Sequence, residues 1–383
     1  MRRLDTTGVI VEYNPFHNGH LYQINQIRAQ YPDTTIVAIM SGQFLQRGIP
    51  AALDKESRTR QALQSGVDLM IELPVAFSVQ PADLFAKGAI KLLSGMKITR
   101  LVFGAEHPKL DFKSIAVKIQ NIDGDFNQYN ETYASQYQQA VFDSTGVHID
   151  EPNDLLGLAY AEACLSEKSE IQLCPIQRIG AGYHETIFND SQEIASATAI
   201  RLAVRNQESI GNVVPGQTQI DSKNEKWIDW HDFWPYLKYQ LSLLTPEQLS
   251  TIYGVSEGIE YRLLQQYEKL PEDASFDDWV HAVKSKRVTY TKISRLATYI
   301  LLKINKNEID KQYKQPYYHV LGFSKRGQSL LNYLKKEVPY PILTKISKKD
   351  KEGLYSLDYR AGIIYGLISH KESDLFRHPV QIN

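Results

Sequence analysis

Two histidines, His17 and His20, bracket Asn18 and Gly19 in a single turn near the start of the sequence. Ahead of them, Gly8-Val9-Ile10-Val11 is a short apolar, β-branched run of the kind found in strands covered on both faces. Asn14 and Pro15 end it, and the permissive Asn18-Gly19 pair suits a sharp turn. Leu21, Ile24 and Ile27 then recur at helical spacing. A helix that starts in this turn leaves free backbone N–H groups at its N-terminus, where they favour anions. A second stretch has the same potential. In Ile194-Ala195-Ser196-Ala197-Thr198-Ala199-Ile200-Arg201, either Ser196 or Thr198 can cap a helix, and Arg201 on its first turns adds a cation. Turn histidines and hydroxyl caps are common singly. Two imidazoles between strand and helix, paired with a capped helix bearing arginine, describe a polyphosphate site.

These groups need a scaffold, and the first two hundred residues supply one. Strands are expected at residues 8–11, 35–40, 68–73, 100–104 and 171–176, with helical stretches at 55–64 and 82–93 and a helix start at Pro152-Asn153-Asp154. Repeated βα units with short connections imply an α/β fold with a Rossmann-like parallel sheet. Ligands bind such sheets at the carboxyl ends of strands, where His17, His20, Ser41, Gly42 and Gly104 fall. Residues 180–184 read as a flexible loop after Arg178.

Two domains are expected at 383 residues. Residues 206–226 form a polar, Gly/Pro-containing boundary, so residues 1–215 read as the nucleotide-binding catalytic domain. Residues 216–383 read as a mostly helical domain, without strand alternation from Trp227 onward. Residues 284–351 carry 17 Lys and Arg against four acids, a local charge of +13 in a chain of net charge −1. Such segregation suggests a polyanionic partner. Lys284, Lys286, Arg287, Lys292 and Arg295 around Tyr290 suit phosphate contacts plus base stacking. Lys345-Ile346-Ser347-Lys348-Lys349 is similar to the lysine-serine-lysine signature of class I aminoacyl-tRNA synthetases, but its position in a basic run far beyond the nucleotide domain assigns it no phosphate role. No apolar run approaches the ~20 residues of a membrane span. Met-Arg-Arg-Leu-Asp leads straight into the first strand and is read as leaving no room for a signal peptide. Cys164 and Cys174 form no C-x-x-C pair and are read as packing residues of a reducing, cytoplasmic compartment.

Longer stretches carry a resemblance. They are Val11-Glu12-Tyr13-Asn14-Pro15-Phe16-His17-Asn18-Gly19-His20, Met40-Ser41-Gly42-Gln43-Phe44-Leu45-Gln46-Arg47-Gly48, Asp54-Lys55 with Arg58, and Gly66-Val67-Asp68-Leu69-Met70-Ile71-Glu72-Leu73-Pro74. Phe103-Gly104-Ala105-Glu106, Glu151-Pro152-Asn153, Leu156-Gly157, Ser196-Ala197-Thr198-Ala199-Ile200-Arg201 and Val320-Leu321-Gly322-Phe323 continue them. The chain resembles the tRNA(Met) cytidine acetate ligases, a bacterial group within the nucleotidyltransferase superfamily. Glu56 stands where the family pattern has an aromatic residue and Asp154 where it has Asn.

The resemblance implies a two-step ligase with ATP as substrate, accompanied by Mg²⁺ although no dedicated metal cluster is visible. Acetate would displace pyrophosphate from ATP to give acetyl-adenylate, and N4 of the wobble cytidine of elongator tRNA(Met) would then take the acetyl group. It implies that His17 and His20 donate hydrogen bonds as charge builds on the α-phosphate. Ile10, Val11, Glu12, Tyr13, Asn14, Pro15, Phe16, Asn18, Gly19, Leu21 and Tyr22 would cradle ATP with them. Gly104, Asn153 and Arg178 match nucleotide contacts, and Ser196, Thr198 and the catalytic Arg201 would hold the departing pyrophosphate. The basic residues 284–295 would grip the anticodon stem. Neither a membrane nor an obligate protein partner is expected. Two rivals remain: a nucleotidylyltransferase acting on a small phosphorylated cofactor precursor, which would use the same two anion sites, and a non-catalytic RNA-binding protein with a nucleotide fold as scaffold, which the presence of His17, His20 and Arg201 disfavours.

Overall fold

The computed structural model describes residues 5–120, 133–179 and 193–382. The expected loop at residues 180–184 lies outside them. β1 (Thr6–Val11), α1 (Asn18–Gln30), β2 (Thr35–Ser41), α2 (Lys55–Gln64), β3 (Leu69–Leu73), α3 (Val75–Ser78), α4 (Ala82–Gly95) and β4 (Arg100–Ala105) open the chain. α5 (Phe112–Ile119), α6 (Tyr133–Thr145), α7 (Pro152–Ser166), β5 (Gln172–Gln177) and α8 (Ala197–Arg205) complete the βα series. A run of helices follows: α9 (Gly216–Asn224), α10 (Trp230–Leu243), α11 (Pro246–Leu249), α12 (Ile259–Glu268), α13 (Phe276–Val283), α14 (Tyr290–Leu301) and α15 (Lys306–Lys314). The chain closes with β6 (Tyr318–Phe323), α16 (Lys325–Leu334), β7 (Ile342–Leu343), α17 (Lys348–Glu352), α18 (Ser356–Ser369) and β8 (Val380–Gln381).

The sheet runs in the order β5-β4-β1-β2-β3-β6-β7, with β8 beside β6. The first five strands are mutually parallel, as the alternating βα pattern requires. β1 lies between β2, its successor, and β4, which returns on the other side. Strand order therefore reverses beside β1, and the crevice beyond its carboxyl end is where such sheets bind ligands. Ile36 to Met40 of β2 and, apart from the buried Glu72, the residues of β3 are apolar and fully buried, which is why these strands read as nearly continuous hydrophobic runs.

The stretch after Trp227 is not free of strands, contrary to expectation. β6 pairs antiparallel with β3 and extends the nucleotide sheet. Its YHVLGF sequence is buried along five of six residues, so it presents no alternation to read. β6 covers what would otherwise be an open edge of β3. It also interrupts the basic run between α15 and α16, so the 17 cations do not form one unbroken helical stretch. Tyr318, Val320, Leu330 and Leu334 share the core of β2, β3 and α4. In return, Phe44, Val75 and Val79 pack into the core of α10, α13 and α14. Among the described residues no helix is long and apolar enough to cross a membrane.

Candidate active site

The site begins where β1 ends. Tyr13 takes a left-handed backbone conformation, φ 50°, and the Asn14–Pro15 peptide is cis. Tyr13 and Phe16 fold inward, their ring centroids 4.7 Å apart and both almost fully buried. A buried guanidinium holds the turn from beneath. Arg58 donates to the carbonyls of Leu53 (3.0 Å), Glu12 (2.7 Å), Ser41 (3.0 Å) and Gly42, binding the ends of β1 and β2 into one floor. Asn14 fastens it from the side, its Oδ1 accepting from Ala52 N–H at 2.7 Å.

α1 then starts on an unusual cap. His17 is the N-cap, and its Nδ1 accepts the Gly19 N–H at 3.0 Å. His20, three residues on, returns the bond: its Nδ1 accepts the His17 N–H at 3.2 Å. This is a capping box made of two imidazoles. The rings stack with centroids 3.8 Å apart, and His20 rests edge-on against Tyr13 at 4.9 Å. A Cβ on residue 19 would lie 2.9 Å from the His17 ring, so the close cap needs glycine. Burial, followed by the charges of Arg178 and Arg201, lowers the His17 pKa to about 3. Burial first, then His17 and Arg178, puts His20 well below its ordinary value. Both rings are therefore neutral at physiological pH. With each Nδ1 accepting, the proton of each sits on Nε2, leaving two N–H donors fixed in place.

The second helix N-terminus arrives as the spacing suggests. Ser196, and not Thr198, caps α8, accepting the Ala199 N–H at 3.1 Å. Arg201 crosses back to the first turn, donating to the Asn14 carbonyl at 2.7 Å and to Thr198 Oγ1 at 3.1 Å. Burial pulls its pKa down to about 10. Asn18 makes the reverse tie, donating to the Glu193 and Asn212 carbonyls at 2.8 and 2.9 Å.

Between these termini lies a cleft of about 240 Å³. Of the sequence-predicted residues, His17, Gly19, His20, Tyr22, Gly104, Asn153, Arg178, Ser196 and Thr198 line it. Ile10, Val11, Glu12, Tyr13, Asn14, Pro15, Phe16, Asn18, Leu21 and Arg201 do not appear in that lining. Val11, Tyr13 and Phe16 lie in the core behind β1. Glu12 accepts the Gln46 N–H at 2.7 Å, and its burial raises its pKa.

The far wall rests on a network that the sequence did not announce. Glu106, just past β4, accepts from Asn153 Nδ2 (2.5 Å) and Asp154 N–H (3.1 Å), with Arg178 Nε at 3.5 Å. Buried Asp154 accepts the N–H groups of Glu106 and His107, each at 3.0 Å, and pairs with His107 Nδ1 at 2.6 Å. Arg178 also donates to Asn153 Oδ1 at 3.3 Å. A Cβ at residue 104 would stand 2.9 Å from Arg178 Cγ, so Gly104 allows the arginine to lie over the strand end. Gln23 and Ile176 join the lining too. Gln23 was detectable as the next position after His20 on the same α1 face.

The basic residues stand apart from the cleft. Lys284, Lys286 and Arg287 are exposed between α13 and α14. Tyr290 is half-buried, with its hydroxyl on Asp277, and Lys292 and Arg295 lie along α14. Ser347 of the lysine-rich KISKK stretch caps the short α17, with Asp350 as its partner. Among the described residues no group of three His, Cys, Asp or Glu side chains is placed to hold a metal.

The family described as HIGH Nucleotidyl Transferase matches residues 4–377. The chain is 46% identical to the tRNA(Met) cytidine acetate ligase of Ligilactobacillus salivarius, over 97% of this chain and 98% of that one. It is 41% identical to the enzyme of the same name from Lactiplantibacillus plantarum, over 98% of each. Thermotoga maritima TmcAL bound with alpha-thio ATP superposes with a TM-score of 0.87 at 28% identity, covering 99% of this chain and 100% of that one.

Proposed function

The chain belongs to the HIGH nucleotidyl transferase family and, within it, to the tRNA(Met) cytidine acetate ligases, and we propose that it joins acetate to N4 of the wobble cytidine of elongator tRNA(Met) by way of acetyl-adenylate. The observation that carries this reading is the imidazole capping box facing the N-terminus of α8 across one cleft. Acetate is a poor acyl donor and cytidine N4 a poor nucleophile, so the carboxyl must first gain a good leaving group.

In the first step an acetate oxygen attacks the α-phosphorus, and the bond from that phosphorus to the β-bridging oxygen breaks. The His17 and His20 Nε2–H groups point their dipoles at the α-phosphate as negative charge accumulates. Because their orientation is set by backbone hydrogen bonds, little reorganisation is needed at that moment. Arg178 and the α1 N-terminus offset the repulsion between acetate and triphosphate. Ser196, Thr198 and Arg201 receive the pyrophosphate. In the second step N4 attacks the acetyl carbon, the carbon–oxygen bond to AMP breaks, and N4 loses a proton. The described residues build no cage of His, Cys, Asp and Glu for Mg²⁺; a metal accompanying ATP would be held chiefly by the nucleotide's phosphates and would offset their charge.

The lysines and arginines of residues 284–295 supply phosphate contacts to the anticodon stem in this reading. The test is incubation with ATP, radiolabelled acetate and total tRNA, followed by digestion to nucleosides. ATP-dependent label in N4-acetylcytidine is expected. Absence of label from that nucleoside, with the chain folded, would overturn the reading.

A further inference from the structure

Two carboxylates behind the cleft hold each other's backbone. Asp154 Oδ1 accepts the successive N–H groups of Glu106 and His107, each at 3.0 Å, where the chain leaves β4. Glu106 Oε2 accepts in return the Asp154 N–H at 3.1 Å, in the first turn of α7. That N–H is one of those a helix leaves unpaired at its start, and Glu151, the N-cap of α7, makes no side-chain cap bond. Glu106 therefore caps α7 from another element. Neither carboxylate lines the cleft, whereas Asn153 and Arg178, which Glu106 holds, both do. We propose that Glu106 and Asp154 are positioning residues for adenylation, acting through Arg178: by interlocking β4 with α7 they fix its guanidinium for the nucleotide. The proposal rests on the acetyl-adenylate reading above, in which Arg178 meets the triphosphate.

The contacts pass from the interlock to the cleft in one line. Asn153, beside Asp154 in the first turn of α7, donates from Nδ2 to Glu106 Oε1 at 2.5 Å. Its Oδ1 accepts from Arg178 Nη1 at 3.3 Å, and Arg178 Nε faces Glu106 Oε1 at 3.5 Å. The Arg178 N–H is tied to the Ala105 carbonyl at 3.1 Å, so side chain and backbone are both fastened at the end of β4. The guanidinium is thus braced at Nε and Nη1, leaving Nη2 for the phosphates. Its side chain is 46% exposed, so without the brace it would be free to sample many rotamers. A guanidinium already held in place loses little freedom when a phosphate arrives.

The hydrogen-bond inventory makes the two carboxylates unequal. Both oxygens of Glu106 face donors: Oε1 meets Asn153 and Arg178, and Oε2 meets the Asp154 N–H. A carboxylate accepts at both oxygens, an amide at only one. Gln at this position would set an N–H against one of those donors. Asn153 cannot turn over to compensate, because its Oδ1 already serves Arg178. Asp154 is less demanding. Its Oδ1 takes both backbone donors, while Oδ2 faces His107 Nδ1 at 2.6 Å, a ring nitrogen that can donate or accept. Asn at 154 would keep the double acceptor and donate to the neutral imidazole. The brace on Arg178 thus requires a carboxylate at Glu106 and only an acceptor oxygen at Asp154.

The test measures ATP affinity by calorimetry, and acetate-dependent ATP–pyrophosphate exchange, in Glu106→Gln, Arg178→Ala and the double variant. Each single substitution should weaken ATP binding by roughly tenfold and lower kcat/KM for exchange by ~10- to 10²-fold. The double variant should lose no more than Arg178→Ala alone, because Glu106 acts through the arginine. Asp154→Asn should lose far less than Asp154→Ala in both assays. Wild-type behaviour of Glu106→Gln overturns the proposal. So does a Glu106→Gln loss that persists in full on top of Arg178→Ala, which a merely structural role would give. Equal losses in Asp154→Asn and Asp154→Ala overturn the part assigned to Asp154. Absence of exchange in the wild-type chain would refute the acetyl-adenylate reading alone, since the ATP affinities still decide whether Glu106 works through Arg178.

Discussion

Two helix N-termini, those of α1 and α8, frame one cleft, yet they are built on opposite plans. At α1 the groups that cap the helix are the same groups that we propose act on the phosphate. His17 and His20 satisfy each other's backbone through Nδ1 and present Nε2 outward. At α8 the tasks are divided: Ser196 caps, while Arg201 supplies charge and reaches across to Asn14. The contrast teaches that aim can come from the backbone itself or from a side chain braced elsewhere. Neutral donors locked by the main chain suit a transition state in which charge appears briefly. A cation on a longer arm suits a product that leaves with its charge.

The largest effect that would break this comparison comes from His17→Ala, which removes a donor and a cap together. Exchange of pyrophosphate into ATP should fall ~10²- to 10³-fold, as for other preorganised donors. The chain should also lose about 1 kcal/mol of stability, read from denaturant unfolding. Retained exchange would mean that the cap is only structural. Next, Arg201→Lys keeps charge but cannot bridge Asn14 and Thr198 at once. Its KM for pyrophosphate in the exchange assay should rise by roughly tenfold while kcat changes less; an unchanged KM would remove Arg201 from the leaving-group end.

A pH series sharpens the contrast further. The folded pKa of His17, about 3, lies below its ordinary 6.5. Between those values the unfolded chain binds the extra proton, so stability falls as pH drops through that window. Glu12, raised by burial, works in the opposite direction. His17→Asn retains a capping oxygen but does not titrate, so its melting temperature should decline less than wild type from pH 6.5 to about pH 4. Equal declines would show that His17 is not held neutral by the fold. The smallest effect is expected from Ser196→Ala, where about 1 kcal/mol of helix capping is lost and exchange changes only a few-fold. A larger loss of exchange than in His17→Ala would invert the account.

Much of this site was legible because its parts lie close together in sequence. The run Val11-Glu12-Tyr13-Asn14-Pro15-Phe16-His17-Asn18-Gly19-His20 contains strand end, turn and cap, and local rules govern all three. The Ser196–Arg201 helix start was legible for the same reason, though only the coordinates decide between Ser196 and Thr198 as cap. What escaped depends on residues brought together from afar. Glu106 and Asp154 join β4 to α7 across 48 positions. Nothing in either local stretch announces that bond. β6 was missed because a short, almost wholly buried strand carries no alternation, and its partner β3 lies some 250 residues earlier. Several residues of the cradle run, Tyr13 and Phe16 among them, proved to support the turn from the core; motif membership alone does not separate a lining residue from the one behind it.

The central claim, that the imidazole cap acts on the α-phosphate during activation, is tested most directly by His20→Ala. Acetate-dependent ATP–pyrophosphate exchange should be measured alongside ATP affinity in the same preparation. The account predicts exchange reduced by ~10²-fold or more with ATP affinity changed far less, since the donor matters most as charge develops. Exchange at the wild-type rate, or a loss of exchange fully explained by weaker ATP binding, would contradict it.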